Sequence, residues 1–338
     1  HNQHNGSRTR RPRFYFSGTC LPVIKRAQHR PFCAASVLCT TGRHTLKAET
    51  AVLDIQGQYR VYTEHYRTDA AEQTIILVNG SLSTTASFAQ TVRYLYPQFN
   101  VVLFDLPYAG QSRAHNSHTR PISREEEADI LLELIEHFAC DLVLSFSWGG
   151  IATLQALARQ PRRIRKAVIN SFSPVINAAM QDYLERGLQV LSACERDNIG
   201  ALLNDTIGKH LPSLCKRFNH RNVATLHDYE YRQMGFHVET VLNMDGRSCV
   251  SFAGAIDIPL LFVNGEWDEY TSAADARQFA QHVRHCSFQS VQQAGHFLDM
   301  EHKAAWLQTR NTLLAFLSPS HNSLSHTFRQ HQAHALAG

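Results

Sequence analysis

The sequence predicts an α/β protein with a mostly parallel sheet and a helical cap inserted into it, on three observations. Short apolar runs ending in turn residues alternate with helical patterns over residues 46–175 and again over 253–317. Several of these runs, such as TIILV and NVVLF, are continuously apolar, as expected of strands buried on both faces. Residues 176–252 break the rhythm and read as helix after helix with no strand run between them. In order, AVLDI and the alternating QYRVYTEHY predict two half-exposed strands, and TIILVNG a third that ends in a turn. A helix over 86–96 precedes the strand NVVLFDL. Ser123 with Glu126 three residues on makes a capping box, and Ile130, Leu131, Leu134, Ile135 and Phe138 then share one helical face, which predicts a helix from Ser123 to Phe138. DLVLSFS, a helix from Gly149 and the strand KAVINSF follow. The segments NAAMQDYLERGLQVL and EYRQMGFHVETVL belong to the cap, and IPLLFVNG and CSFQSVQ supply the last two strands.

Composition narrows the function classes. The chain has 338 residues, 43% hydrophobic and 18% charged, enough for a sizeable core. Its net charge of +4 is unevenly placed: residues 1–48 hold nine Lys or Arg and no acid, which leaves 24 basic and 29 acidic side chains in the rest. The body is therefore mildly acidic, and a nucleic-acid-binding domain is not expected. Residues 1–45, Arg-rich and without periodicity, fit a transit peptide or a translated upstream region with Leu46 as the true first residue; either way they fall outside the expected fold. Residues 318–338 are polar, with four histidines, and are expected to be a disordered tail. Eight cysteines lie at scattered positions without metal-type spacing, so a cytoplasmic location and no metal site are expected. No run reaches the ~18–20 apolar residues of a membrane-spanning helix.

The chemistry-bearing segment is Ser145-Phe146-Ser147-Trp148-Gly149-Gly150, between a strand run and a helical run. In a nucleophile elbow the serine sits on a strained turn, so the residues two before and two after it must be small; here they are Ser145 and Gly149. Serine needs a base, and the base an orienting acid, in the chain order Ser, acid, His at strand ends. Asp268 follows LLFVNG and His296 follows CSFQSVQ in the loop QAGHF. Glu266 and Glu269 are rival acids, and the turn leading into a new helix favours Asp268. The oxyanion donors would be the N–H groups of Trp148 and of Ser81, in the loop Asn79-Gly80-Ser81. Asp105 reads as a turn-stabilising residue.

With Ser147, Asp268 and His296 in an α/β-hydrolase order, the chain resembles the (R)-3-hydroxyacyl-ACP:CoA transacylase family over residues 46–317. The segments AVLDIQGQYRVYTE, NGSLSTTASFAQTVR, FNVVLFDLPYAGQS, SFSWGG, FSPVIN, NDTIGKHLPSL and AGHFLDME carry the resemblance. It is also similar to the sister family that makes 3-(3-hydroxyalkanoyloxy)alkanoate for rhamnolipids, with Trp267 on that side. The family has serine at the position of Ser145. The resemblance implies acyl transfer from (R)-3-hydroxyacyl-ACP through an ester on Ser147, with CoA as acceptor substrate, no permanently bound cofactor, and products that feed medium-chain polyhydroxyalkanoate. Water as acceptor would make the enzyme a thioesterase, and a second hydroxyacyl chain would make the dimeric lipid; a non-catalytic binding protein would be expected to lack a triad member. The partner is then acyl carrier protein (ACP), which is acidic. Lys209, Lys216, Arg217 and Arg221 in the cap are the expected docking residues, whereas Arg162, Arg163, Arg165 and Lys166 precede a strand and lie at the far edge of the sheet.

Overall fold

The computed structural model describes residues 46–244 and 251–319. The expected leader over 1–45, the tail beyond 319, the cap residues 245–250 and cysteines 20, 33, 39 and 249 lie outside the described residues. An eight-stranded sheet in the order β1-β2-β4-β3-β5-β6-β7-β8 forms the frame. β1 (Glu49–Ile55) and β2 (Tyr59–Tyr66) are an antiparallel hairpin, turned by Gln56 and Gly57, both at positive φ, with Asp54 accepting the Gly57 N–H at 2.7 Å. β2 also runs antiparallel to β4 (Asn100–Phe104), and the other pairings are parallel: β3 (Thr74–Val78), β5 (Leu142–Phe146), β6 (Lys166–Asn170), β7 (Leu260–Gly265) and β8 (Cys286–Val291).

The two kinds of pairing follow the two kinds of sequence run. β1 alternates little and is mostly exposed at the sheet edge, whereas four of the five residues of β3 and of β4 are buried. Period-two alternation sends Ile76 and Val78 to one face and Ile75 and Leu77 to the other. On the first face pack α2 (Arg124–His137) and α3 (Gly149–Ala158), through Leu131, Leu134, Leu154 and Leu157. On the second pack α1 (Ala89–Leu95) and α9 (Lys303–Leu317), through Val92, Leu95, Leu313 and Leu317. Each buried aliphatic side chain contributes roughly 1.5–3 kcal/mol of transfer free energy, so both faces must be covered. A short helix, α8 (Ala273–Ala276), follows β7.

Between β6 and β7 the chain leaves the sheet and forms α4 (Ala178–Ser192), α5 (Arg196–Asp205), α6 (Ser213–Ala224) and α7 (Asp228–Asn243). Their apolar faces make a separate cluster around Leu184, Leu191, Tyr231, Met234 and Val238, against which Leu82 and Trp148 of the sheet's loops pack. Among the described residues no helix is long and apolar enough to cross a membrane. Asp105, at the end of β4, accepts the N–H groups of Thr85 and Gln111, both at 2.8 Å, and so ties two loops together as a turn residue.

The reciprocal cap on α2 is formed: Ser123 Oγ accepts the Glu126 N–H at 3.2 Å and Glu126 Oε2 accepts the Ser123 N–H at 2.9 Å. Removing the hydroxyl in Ser123→Ala should cost about 1 kcal/mol and lower Tm by a few degrees in a thermal melt, without changing the fold.

Candidate active site

The tight turn between β5 and α3 places Ser147 at φ 49°, a left-handed conformation that points its hydroxyl away from both elements. Packing leaves no room for a side chain two residues on: a Cβ on Gly149 would lie 2.4 Å from the Asn79 carbonyl. That close approach brings the Gly80–Ser81 loop beside the elbow, where a Cβ on Gly80 would stand 3.4 Å from that of Ser147. Among the described residues, the backbone N–H groups of Ser81 and Trp148 have no intramolecular acceptor, and both residues line one cavity with Ser147 and His296.

His296 reaches Ser147 from the other side. Its Nε2 lies 2.9 Å from Ser147 Oγ and its Nδ1 2.8 Å from Asp268 Oδ2. Asp268 and His296 are 3% and 2% exposed, and the parallel contact of β7 with the histidine loop is close enough that a Cβ on Gly265 would strike the Gly295 carbonyl. Asp268 also accepts the Thr271 hydroxyl at 2.6 Å and the N–H groups of Tyr270 and Thr271 at 3.0 and 3.1 Å. Burial alone would raise its carboxyl, but the His296 charge, the His296 hydrogen bond and the Thr271 donors outweigh it and hold the pKa at about 2. The carboxylate therefore stays ionised, which fixes the His296 proton on Nδ1 and leaves Nε2 free to accept from Ser147. The two rival acids are elsewhere: Glu266 is exposed and accepts the Gln293 N–H, and Glu269 pairs with Lys209 at 2.9 Å.

A cavity rises from Ser147 into the cap. Its walls are apolar, with Met180, Leu184, Leu202, Met234 and Val238 among them, and the polar groups gather at the Ser81, Ser147 and His296 end. That is the composition of a site for a largely apolar ligand with one reacting end.

A family model described as alpha/beta hydrolase fold matches residues 73–303. The chain is 63% identical over 275 residues, 81% of its own length and 93% of the relative's, to the (R)-3-hydroxydecanoyl-ACP:CoA transacylase of Pseudomonas putida. It is 60% identical over 294 residues, 86% of its length and all of the relative's, to the enzyme of the same name from Ectopseudomonas oleovorans. The chain belongs to the (R)-3-hydroxyacyl-ACP:CoA transacylase family. Among solved structures, a hydrolase from Pseudomonas aeruginosa superposes with a TM-score of 0.65 at 18% identity, covering 80% of this chain and 98% of that one, a likeness of fold.

Around this family's elbow the structure adds residues that sequence patterning did not single out. Arg124 stacks its guanidinium 4.1 Å over the Trp148 ring and donates to the His237 carbonyl at 3.3 Å. His237 Nε2 lies 3.4 Å from Glu127 and within 3.0 Å of both Gln233 and the Ile122 carbonyl, and Tyr108 donates to Glu127 at 2.8 Å. Ser171 Oγ donates to the His296 carbonyl at 2.6 Å, and Glu301 accepts the N–H groups of Gly295 and Phe297. A Thr three residues after the acid and a Glu five after the histidine were the available signals. Of the expected docking residues, Arg217 and Arg221 are exposed one turn apart on α6 and Lys216 is half-buried beside them, while Lys209 is engaged by Glu269. Arg163 faces Asp141 at the opposite edge of the sheet. Among the described residues no cluster of His, Cys, Asp or Glu is placed to hold a metal ion.

Burial pushes the Glu127 carboxyl up to about 7 and His237 down to about 3. A carboxyl raised by folding gives stability that is fully present below its unfolded value near 4.5 and lost as pH rises through about 7. Glu127→Gln keeps the Tyr108 acceptor and removes the titration. Between about pH 5 and about pH 8 the parent should lose stability relative to this variant, by something of the order of 3 kcal/mol, read from urea melts at each pH. Parallel pH profiles would rule out the buried neutral carboxyl.

Proposed function

We propose that the protein moves (R)-3-hydroxyacyl groups from acyl carrier protein to coenzyme A through an ester on Ser147. The observation that carries this reading is the line Ser147–His296–Asp268, at 2.9 and 2.8 Å, in a chain at least 60% identical to two enzymes named for this transfer. His296 Nε2 takes the Ser147 proton as Oγ attacks the thioester carbonyl, and the N–H groups of Ser81 and Trp148 stabilise the oxyanion. Collapse expels the carrier's thiolate, which leaves with the proton from His296. The CoA thiol then gives its proton to His296 and its sulfur attacks the ester carbonyl; as the bond from the acyl carbon to Ser147 Oγ breaks, His296 returns the proton to Oγ and acyl-CoA leaves. Asp268 stays ionised throughout and holds the imidazole. The cavity in the cap takes the acyl chain, and CoA is a second substrate; no resident cofactor is needed. The carrier docks on Lys216, Arg217 and Arg221, with Lys209 nearer the mouth, and such a donor fits a cytoplasmic location.

Mass spectrometry of the enzyme mixed with 3-hydroxydecanoyl-ACP should show a hydroxyacyl adduct on Ser147, discharged to 3-hydroxydecanoyl-CoA on adding CoA, with ping-pong kinetics. Discharge to free acid at a rate independent of CoA would make the enzyme a thioesterase, and an ester-linked dimer would make it a synthase. Ser147→Ala should lower turnover by at least about a thousandfold while folding normally.

Charge reversal by Lys216→Glu with Arg217→Glu should raise KM for the acyl carrier at least about fivefold and leave a small acyl thioester, such as the N-acetylcysteamine derivative, unaffected. An equal rise for both would place the carrier elsewhere.

A further inference from the structure

We infer that Gly187, in the middle of α4, sets the acyl-chain length that the enzyme accepts. The inference rests on reading the cavity as the acyl site. A glycine in a helix interior weakens the helix relative to alanine, so a physical reason is expected for it. Three other glycines of the described α-helices have one: a Cβ would meet Asn79 at 2.4 Å from Gly149, Phe172 at 2.9 Å from Gly150 and His220 at 2.7 Å from Gly200, whereas on Gly235 it would make only ordinary contact, 3.9 Å from Leu188. Gly187 alone among them meets nothing within 4 Å, and its φ is not positive, so neither neighbouring helices nor backbone conformation demands it.

Its place in the cavity wall supplies the reason. Gly187 lines the cavity, and so do the residues three and four positions away on either side: Tyr183, Leu184, Val190 and Leu191. Residues so spaced share one helical face, so a side chain at 187 would project into the cavity. The N-cap of α4, Asn177, donates to the Glu269 carbonyl at 3.0 Å, which fixes the start of the helix beside the Asp268 loop. At the helical rise, Gly187 then lies roughly 15 Å further along the axis. It lines the same cavity as Ser147 from a point well along α4 from the Asp268 loop, where it would face the alkyl part of a bound chain. A residue there controls whether a long chain fits and leaves the chemistry to others.

The test is a ladder of acyl thioesters. Relative kcat/KM is measured for 3-hydroxybutyryl-, 3-hydroxyoctanoyl- and 3-hydroxydodecanoyl-ACP with the parent enzyme, Gly187→Ala and Gly187→Leu. The dodecanoyl-to-butyryl ratio should fall at least about tenfold in Gly187→Leu and by a smaller factor in Gly187→Ala. The alanine variant adds one methyl group to a better helix former, so it decides the matter if the leucine variant does not fold. An unchanged ratio, or an equal loss at every length, overturns the assignment. Calorimetric binding of octanoate and dodecanoate to Ser147→Ala, with and without Gly187→Leu, reads the cavity without any turnover. Weaker dodecanoate binding with Gly187→Leu supports the role of Gly187 even if the acyl-transfer reading fails, and unchanged binding overturns it.

Discussion

Ser147 holds a left-handed backbone at the end of β5, a conformation that costs an L-residue roughly 1–2 kcal/mol. Its N–H is bonded to the Asn170 carbonyl of β6 at 2.8 Å and its carbonyl accepts from Gly150 at 2.9 Å, so the turn is pinned on both sides. The neighbouring strand end presses a carbonyl to within 2.4 Å of where a Cβ on Gly149 would stand, so the elbow and the Gly80–Ser81 loop come as one unit. The free N–H groups of Ser81 and Trp148 are consequences of that same packing. A parallel sheet is what makes this possible: β3, β5, β6, β7 and β8 run in one direction, and so the loops bearing Ser81, Ser147, Asp268 and His296 all emerge at one end.

The cap is joined to this frame by polar as well as apolar contact. Gln233 of α7 makes two hydrogen bonds with the backbone of Ile122, both at 2.8 Å, just before α2. Arg124 and His237 continue that seam inward to the ring of Trp148. Gln233 meets the Ile122 N–H and carbonyl in one geometry only, so these bonds fix one docking of the cap where an apolar contact would tolerate several. Because the seam ends on Trp148, the position of the cap and the position of the Trp148 N–H are coupled through a few side chains.

The sequence showed the strands, the α2 cap and the Ser, Asp, His order clearly, because each depends on local spacing: an apolar run, a Ser with Glu three on, a small residue on either side of Ser147. The choice of Asp268 over Glu266 and Glu269 could be favoured from the turn but rests in the end on which carboxyl the fold buries. The Arg124–His237–Glu127 seam was not legible, since His237 lies more than a hundred residues from Arg124 and Glu127 and each alone looks like an ordinary helix-surface residue. Lys209 illustrates the converse: a cation in the right region of sequence is engaged by Glu269, a partner 60 positions away that no periodicity reveals. Pairings across the cap–sheet boundary are tertiary facts, and only local ones are written in spacing.

In the proposed reaction the two half-steps are chemical mirror images. The carrier protein presents its acyl group on a pantetheine thiol, and coenzyme A ends in the same pantetheine thiol, so one narrow approach to Ser147 can serve leaving group and acceptor alike. A thiol, with an ordinary pKa near 8.5, exchanges a proton with an imidazole readily in both directions, whereas water is a far weaker acid. The site therefore needs no separate machinery for the second step, only a way to keep water from competing. The burial of Asp268 and His296, the T-shaped contacts of Phe146 and Phe297 with the imidazole, and the apolar cavity over Ser147 leave few polar groups there to hold a competing water. On a frame shared with hydrolases, what separates transfer from hydrolysis is which acceptor reaches the ester first, and that is governed by the cap and the mouth; the catalytic line itself is common to both outcomes.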